Sequence, residues 1–485
     1  VKSPEYDVAV VGGGSGGYAA ARTASDAGLK VIVIEGGREV GGLCILRGCM
    51  PTKALLYAAE VRHLAQYGGV WGMKPGEVDF NWTAVMARKD GLIREFAEYR
   101  EQQLKNGSFT FLRNSARFLN DHALALNNGE TIQARHFVIS TGSVVARPPL
   151  PQLSSVGYLT SDEALKLERL PKSLIILGGG PVAVEFAQMF ARFDVDVTLI
   201  QRGDRLLKSF DPDATAVVDA ALRREGITLH TNTRLGDAYR DGAHKVVTFL
   251  QGGRRLESRA EEILFALGRV PNTSGLDLDK AGVQTDRGRI VANDLMRTSV
   301  PHIYAAGDCT GPHEIVHIAV QQGEIAAHNI AHPDRPRHLD SRLLINVVFT
   351  DPQVATVGLT ENEARAGGIS YVAASFPFND HGKSLIMEAR DGFVKLLASL
   401  SNGSILGGCC AGPAGGDLIH EVVAAMAGGM TVHQLATMPH YHPTLAEIWT
   451  YPAEELAQKL DSTGAESIAR GLHDAKAHPM GHVLP

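Results

Sequence analysis

The chain opens on a short, β-branched apolar run, Asp7-Val8-Ala9-Val10-Val11. That is the pattern of a strand buried on both faces of a parallel sheet. A glycine-rich turn follows, Gly12-Gly13-Gly14-Ser15-Gly16-Gly17, then helical periodicity from Tyr18 to Ala27 and a second strand, Lys30 to Glu35. These pieces make one βαβ unit of about thirty residues. From 54 to 105 the pattern is helical and amphipathic, with Leu55, Leu56, Ala59, Val61 and Leu64 on the apolar side. Residues 108–140 alternate, and Asn127-Asn128-Gly129 predicts a turn within a small antiparallel excursion. Phe137-Val138-Ile139-Ser140 reads as another strand, ending in the tight turn Thr141-Gly142.

The linker Pro148-Pro149-Leu150-Pro151 interrupts this architecture, and the architecture then repeats. Leu174-Ile175-Ile176-Leu177 is a strand, Gly178-Gly179-Gly180-Pro181-Val182-Ala183 a second phosphate-type turn, and Val195 to Ile200 the next strand. Two such units in one polypeptide predict two bound dinucleotides. Ile303 to Ala306 forms a further strand leading into Gly307-Asp308. A third region begins near 341, with strands at Ile345–Phe349 and Val394–Ala398 and a helix at His420–Ala427. The fold class is therefore α/β, two Rossmann-like domains plus a C-terminal α+β domain. The polar, histidine-bearing stretch beyond 460 reads as an extension without packed structure.

Composition narrows the function class. At 485 residues there is room for about three domains with proper cores. A net charge of -6 provides no basic stripe for nucleic acid, and no apolar run approaches the eighteen or so residues of a membrane span. The sequence enters a strand at once, without a signal peptide in the stretch given. Five cysteines in so long a chain make no disulfide framework, so a reducing, cytoplasmic setting is expected. No metal is expected.

The first turn carries a full fingerprint. Gly12 permits the turn, Gly14 lets the backbone approach a pyrophosphate, and Gly17 lets helix pack on strand. Glu35, at the end of the second strand, stands where an acid accepts hydrogen bonds from a ribose. In the second fingerprint Gly178 and Gly180 are followed by Ala183 in the third place, a tolerated variant. Its next strand ends in Gln201-Arg202, where an NAD site would prefer an acid. Gln201 does not repel a 2′-phosphate, and Arg202, Arg205 and Lys208 are close in sequence, which tilts the cofactor toward NADP. Those cations otherwise form a solvated edge.

Cys44 and Cys49 lie in Gly41-Gly42-Leu43-Cys44-Ile45-Leu46-Arg47-Gly48-Cys49-Met50-Pro51-Thr52-Lys53. A regular helix rises about 1.5 Å per residue, so five positions separate the Cα atoms by roughly 7.5 Å along the axis. A disulfide tolerates roughly 4.4–6.8 Å. The segment must be distorted if the pair closes, and Gly48 and Pro51 are the residues that permit it. The alternative is two unpaired buried thiols. His442, in Pro439-His440-Tyr441-His442-Pro443-Thr444-Leu445-Ala446-Glu447, has an acid five residues on. It is either a structural histidine or a general acid–base with an orienting carboxylate.

In the order of these motifs, over roughly residues 5 to 455, the chain resembles the class I pyridine nucleotide-disulfide oxidoreductases, which include the dihydrolipoamide dehydrogenases, glutathione reductases and mercuric reductases. The resemblance implies FAD and NAD(P) as cofactors and a homodimer whose active site is shared between subunits. It implies an FAD domain over 1–150 with a returning segment at 276–340, an NAD(P) domain at 151–275, an interface domain at 341–460 and a tail at 461–485. It makes Cys49 the flavin-proximal thiol, Cys44 the interchange thiol, and Lys53 and Glu185 an ion pair beside the flavin. It assigns FAD contacts to Thr141-Gly142 and Asp308, further cofactor contacts to Gly268 and Arg269, and the acid–base dyad, reaching in from the other subunit, to His442 and Glu447. The implied reaction relays electrons between NAD(P)(H) and a disulfide or dithiol substrate through the cysteine pair. A dihydrolipoyl dehydrogenase-like enzyme is favoured over an NADPH-dependent glutathione-type or mercuric-type reductase. Four features depart from the family pattern or bear on the substrate. Pro181 replaces the residue over the nicotinamide pocket, Leu43 precedes the first cysteine, and the tail lacks a cysteine pair. Arg22 and Arg47 are the candidate contacts for an anionic glutathione. Cys309, Cys409 and Cys410 read as core thiols.

Overall fold

The structure, a computed structural model, describes residues 5–74 and 78–462. Cα packing divides the chain into two compact units, one of residues 1–206 and 225–340, the other of 207–224 and 341–485.

In the first unit, β1 (Tyr6–Val11) lies between β2 (Val31–Glu35) and the long strand Thr131–Ile139, parallel to both. All five residues of the Asp7–Val11 run except Asp7 are buried, as the unbroken apolar pattern requires. Helix α1 (Ser15–Asp26) begins three residues before the periodicity at Tyr18, because the fingerprint's last two glycines form its first turn. Thr110–Arg113 extends the sheet on the far side of β2, and Ile303–Ala305 returns to pair in parallel with the end of Thr131–Ile139. The antiparallel excursion is present as Ala116–Asn120 and Ala123–Leu126, turning into Thr131–Ile139 around Gly129 at φ +90°.

The second βαβ unit is a four-stranded parallel sheet in the order Thr228–His230, Asp196–Ile200, Ser173–Leu177, Glu262–Phe265. Proline at the first turn of the helix Pro181–Ala191 suits its fixed φ. A three-stranded antiparallel sheet over Thr233–Ala260 escapes the sequence pattern, because its strands alternate irregularly and carry many charges.

The stretch read as one helical region divides into α2 (Gly42–Arg47), α3 (Cys49–Gln66) and α4 (Trp82–Lys105). Leu55 and Ala59 are buried, but Val61 and Leu64 are half exposed, beside Tyr57 and Tyr67. Among the described residues no helix is long and apolar enough to cross a membrane.

The second unit is built on a five-stranded antiparallel sheet, with Gln353–Gly358, Ile405–Gly412 and Phe393–Ser399 at its centre. The helix Gly415–Ala427 packs Leu418, Ile419 and Val422 into the same core. Cys409 and Cys410 are buried in the central strand, and Cys309 is buried in the first unit. The helix Pro212–Arg224, inside the stretch assigned from sequence to 151–275, groups with this unit. The reason is a buried ion cluster: Lys395 Nζ donates to Asp211 at 3.1 Å, Asp213 at 2.7 Å and Glu361 at 3.0 Å. A helix over 450–462 is the last of the described structure; residues 463–485 of the expected tail lie outside the described residues.

Removing one partner of a buried ion cluster leaves uncompensated charge in the interior. Lys395→Met is expected to cost about 3–5 kcal/mol, read as a lowered thermal midpoint.

Candidate active site

The cysteine segment carries the distortion that closure of the pair would need. Helix α2 ends at Arg47, and Gly48 leaves helical geometry at φ -127°, ψ -115° before α3 begins at Cys49. A Cβ on Gly48 would meet the Leu43 carbonyl oxygen at 3.0 Å and the Cys44 Cα at 3.3 Å. The bare backbone thus lets the second helix start close against the first. Thr52 Oγ1 donates to the Gly48 carbonyl at 2.7 Å and seals the turn.

Both cysteines are half-buried thiols, hydrogen-bonded to one another. The Cys49 thiol is lowered to about 7, first by the hydrogen bond it receives from Cys44, against burial, and then by the Lys53 charge. Cys44 is driven the opposite way, by the same hydrogen bond and by burial. The acidities of the two thiols are thus driven apart, with negative charge favoured on Cys49, at the start of an 18-residue helix. One turn on, Lys53 Nζ donates to the buried Glu185 at 2.8 Å, tying α3 to the helix Pro181–Ala191.

The residues fit the first dinucleotide. Gly12, at φ +106°, admits no side chain, because a Cβ would lie 2.3 Å from the Ser140 carbonyl oxygen. At Gly17 the clash would be with Gly12 O at 1.9 Å. At Gly14 such a Cβ would meet only the Gly42 Cα, at 3.7 Å, an ordinary contact without a clash. Helix α1 has no side-chain cap, which leaves its N-terminal N–H groups for phosphate. Glu35 accepts from Gly13 N at 2.7 Å, which holds its carboxylate beside the turn. Asp308 accepts from Ser143 Oγ at 2.7 Å, and Arg269 donates to that Ser143 through Nε (2.8 Å) and to its carbonyl through Nη2 (2.8 Å). Gly268, at φ +109°, precedes this contact, and Gly142 takes φ +70°. Buried Thr141 Oγ1 finds no partner among the described residues, an acceptor and donor left for the cofactor.

The second fingerprint has the same logic. A Cβ on Gly178 would lie 2.4 Å from the Ala266 carbonyl oxygen, whereas at Gly180 it would meet nothing within 4 Å. Helix Pro181–Ala191 is also uncapped, Ala183 is buried in its packing face, Gln201 lies against Gly179, and Arg202 is exposed.

In the second unit Glu447 Oε2 lies 2.9 Å from His442 Nδ1, and Oε1 3.2 Å from it. The His442 side chain is 76% exposed and that of Glu447 12%. A buried carboxylate thus holds one imidazole nitrogen and leaves the other turned outward, the geometry of an oriented acid–base. Sequence reasoning missed Ser143, the link between Asp308 and Arg269, although it directly follows Thr141-Gly142. It also missed His381, which stands alone in a polar loop. Asp121, His122 and His302 bring ligand atoms within 4.8 Å of one another. The two imidazoles are stacked parallel, however, so their in-plane lone pairs do not converge on one ion, and His302 Nε2 already bonds the Asp121 carbonyl.

Residues 6–323 match the family model described as pyridine nucleotide-disulphide oxidoreductase, and residues 345–453 match that family's dimerisation domain. A dihydrolipoyl dehydrogenase of Thermus scotoductus is 37% identical over 458 residues, 93% of this chain and 97% of its own. A mercuric reductase of Streptomyces lividans is 37% identical over 449 residues, 91% of this chain and 94% of its own. Among solved structures, the HOCl-induced flavoprotein disulfide reductase RclA from Escherichia coli superposes with a TM-score of 0.82 at 26% identity, covering 93% of this chain and 99% of its own. The chain belongs to the pyridine nucleotide-disulphide oxidoreductase family. It is a flavin-dependent disulfide oxidoreductase that uses FAD and NAD(P), and its dimerisation domain supports a homodimer.

The causes acting on Cys49 set signs that can be measured by alkylation rate against pH in the reduced protein. The wild-type profile is expected to rise through about 7. Cys44→Ala and Lys53→Met should each move the midpoint up, by removing a hydrogen-bond donor and a positive charge. Glu185→Gln should move it down, by removing a negative one.

Proposed function

We propose that this family member catalyses dihydrolipoyl dehydrogenase-type chemistry: a small or lipoyl-borne dithiol and NAD(P)+ give the cyclic disulfide, NAD(P)H and a proton. The observation that carries the substrate class is the setting of Cys44. Leu43, Ile45, Leu46 and Met50 flank the two cysteines in sequence, all partly exposed, which suits an approaching hydrocarbon-backed dithiol better than an anionic tripeptide. The two candidate cations for glutathione are already engaged, Arg22 with Glu324 at 2.7 Å and Arg47 with Glu39 at 3.2 Å and Asp162 at 3.8 Å.

A substrate thiolate attacks Cys44 of the oxidised pair, forming a mixed disulfide and releasing Cys49 as the thiolate that its surroundings favour. The second substrate thiol then displaces Cys44 and closes the substrate disulfide. His442, oriented by Glu447 and contributed by the other subunit, takes the protons from the substrate thiols; in reverse it protonates the departing sulfur. FAD, when bound, supplies two-electron exchange between this dithiol and the nicotinamide. Lys53 and Glu185 form the ion pair beside it. Gln201 and the exposed Arg202 favour NADP(H), having no acid to repel a 2′-phosphate.

The apolar, exposed Tyr57, Val61 and Leu64 on α3, with Tyr67 just past its end, support a second subunit covering that helix. A reducing, cytoplasmic setting suits the buried thiols of Cys309, Cys409 and Cys410.

Turnover with NAD(H) and NADP(H) is compared across dihydrolipoamide, lipoamide and glutathione disulfide. Oxidation of dihydrolipoamide is expected to exceed every glutathione rate. Strong preference for NADPH with glutathione disulfide, or NADPH oxidation driven by Hg(II) alone, overturns the substrate assignment. His442→Gln should lower dithiol turnover by about 10²–10⁴-fold, while reduction of the enzyme by NAD(P)H in rapid mixing stays close to wild type.

A further inference from the structure

Behind the His442–Glu447 pair lies a second imidazole that the relay just described does not use. His381 precedes the short helix Gly382–Ile386 and is fully buried. Its Nδ1 lies 2.8 Å from Ser384 Oγ, and its Nε2 lies 3.4 Å from Glu447 Oε1. That Nε2 has no hydrogen-bond partner among the described residues. The rings of Phe378 and Tyr451 stand edge-on to the imidazole at 6.5 Å and 6.3 Å, at 80° and 79°, and fix its plane.

The tautomer follows from the neighbours. Ser384 is fully buried, and its hydroxyl hydrogen has His381 Nδ1 as its one acceptor among the described residues. Were Nδ1 protonated instead, that hydroxyl would be stranded, and the Nε2 lone pair would face a carboxylate. The neutral ring therefore carries its hydrogen on Nε2, toward Glu447. Burial holds His381 below the ordinary histidine range, opposed by the Glu447 carboxylate and reinforced by His442. A neutral donor is what the site needs, because a second imidazolium would compete with His442 for the one negative charge. A buried N–H left unpaired is costly, so the gap of 3.4 Å favours closure once the site is assembled.

On the reading of His442 and Glu447 as the acid–base pair, we infer that His381 is a positioning residue. Its Nε2–H donates to Glu447 Oε1, which keeps Oε2 against His442 Nδ1 and leaves His442 Nε2 directed at the substrate sulfur. The line Ser384–His381–Glu447–His442 runs from the core of the second unit to its surface.

The test uses the FAD-loaded dimer and three substitutions. His381→Leu fills the space without a donor. His381→Gln places an amide N–H near the position of Nε2, and His381→Asn is too short to reach Glu447. Reduction by NAD(P)H is expected to stay within about twofold of wild type in all three. Exchange with the dithiol substrate should fall roughly 10- to 100-fold in His381→Leu and His381→Asn, the worth of one hydrogen bond to a charged acceptor. His381→Gln should recover most of it. Wild-type exchange in His381→Leu, or equal losses in Gln and Asn, overturns the inference; if the leucine variant does not fold, the Gln–Asn comparison decides. A wild-type enzyme that exchanges with no dithiol overturns the underlying reading, and this inference with it.

Discussion

The chemistry depends on one close approach of the backbone at Gly48. Without a side chain there, the start of α3 comes within contact of Leu43 and Cys44, and two thiols five positions apart become hydrogen-bond partners. The short distance creates the electronic asymmetry. One sulfur donates and holds its proton, while the other, at a helix start and near Lys53, gives its proton up at about 7. A continuous helix would have kept the pair apart as two ordinary thiols. The same break thus serves both oxidation states, allowing the sulfurs to join and biasing which of them carries charge when they part.

The two nucleotide sites use glycine in two different senses. Gly12 and Gly17 in the first, and Gly178 in the second, lack side chains because the protein's own backbone occupies the space. A Cβ on Gly180 would meet nothing within 4 Å and one on Gly14 only the Gly42 Cα at 3.7 Å, both at the starts of helices without side-chain caps. The first kind shapes the turn, and the second leaves room at a helix start. That distinction separates a phosphate cradle from a merely glycine-rich loop, and it is visible only when each missing Cβ is built.

The His442–Glu447 pair belongs to a different compact unit from the cysteines, and its order comes from burial. Glu447 is shielded and His442 exposed, so the carboxylate is fixed and the imidazole presented. His381 continues the same arrangement inward, each member more buried than the one before it.

Much of this was legible in the residues. The unbroken Val-Ala-Val-Val run, the two fingerprints and the Pro-rich linker specify α/β architecture by local pattern, because parallel strands buried on both faces need no partner information to be recognised. The cysteine spacing required a broken helix if the two sulfurs were to meet. Other features were set by long-range packing. The helix Pro212–Arg224 joined the C-terminal unit because Lys395 draws Asp211 and Asp213 to Glu361, a contact across more than 180 positions of sequence that no window could contain. Val61 and Leu64 matched the apolar side of a helix, yet they face outward, since periodicity reports amphipathicity and not which neighbour covers it. Ser143 and His381 carried no local signal, because their roles exist only where Asp308, Arg269 and Glu447 arrive from elsewhere in the chain. The sequence determined the elements and the reactive groups through short-range sterics and spacing. The tertiary structure decided which groups meet, because hydrogen bonds and charge pairs act over a few ångströms of space, whatever the distance along the chain.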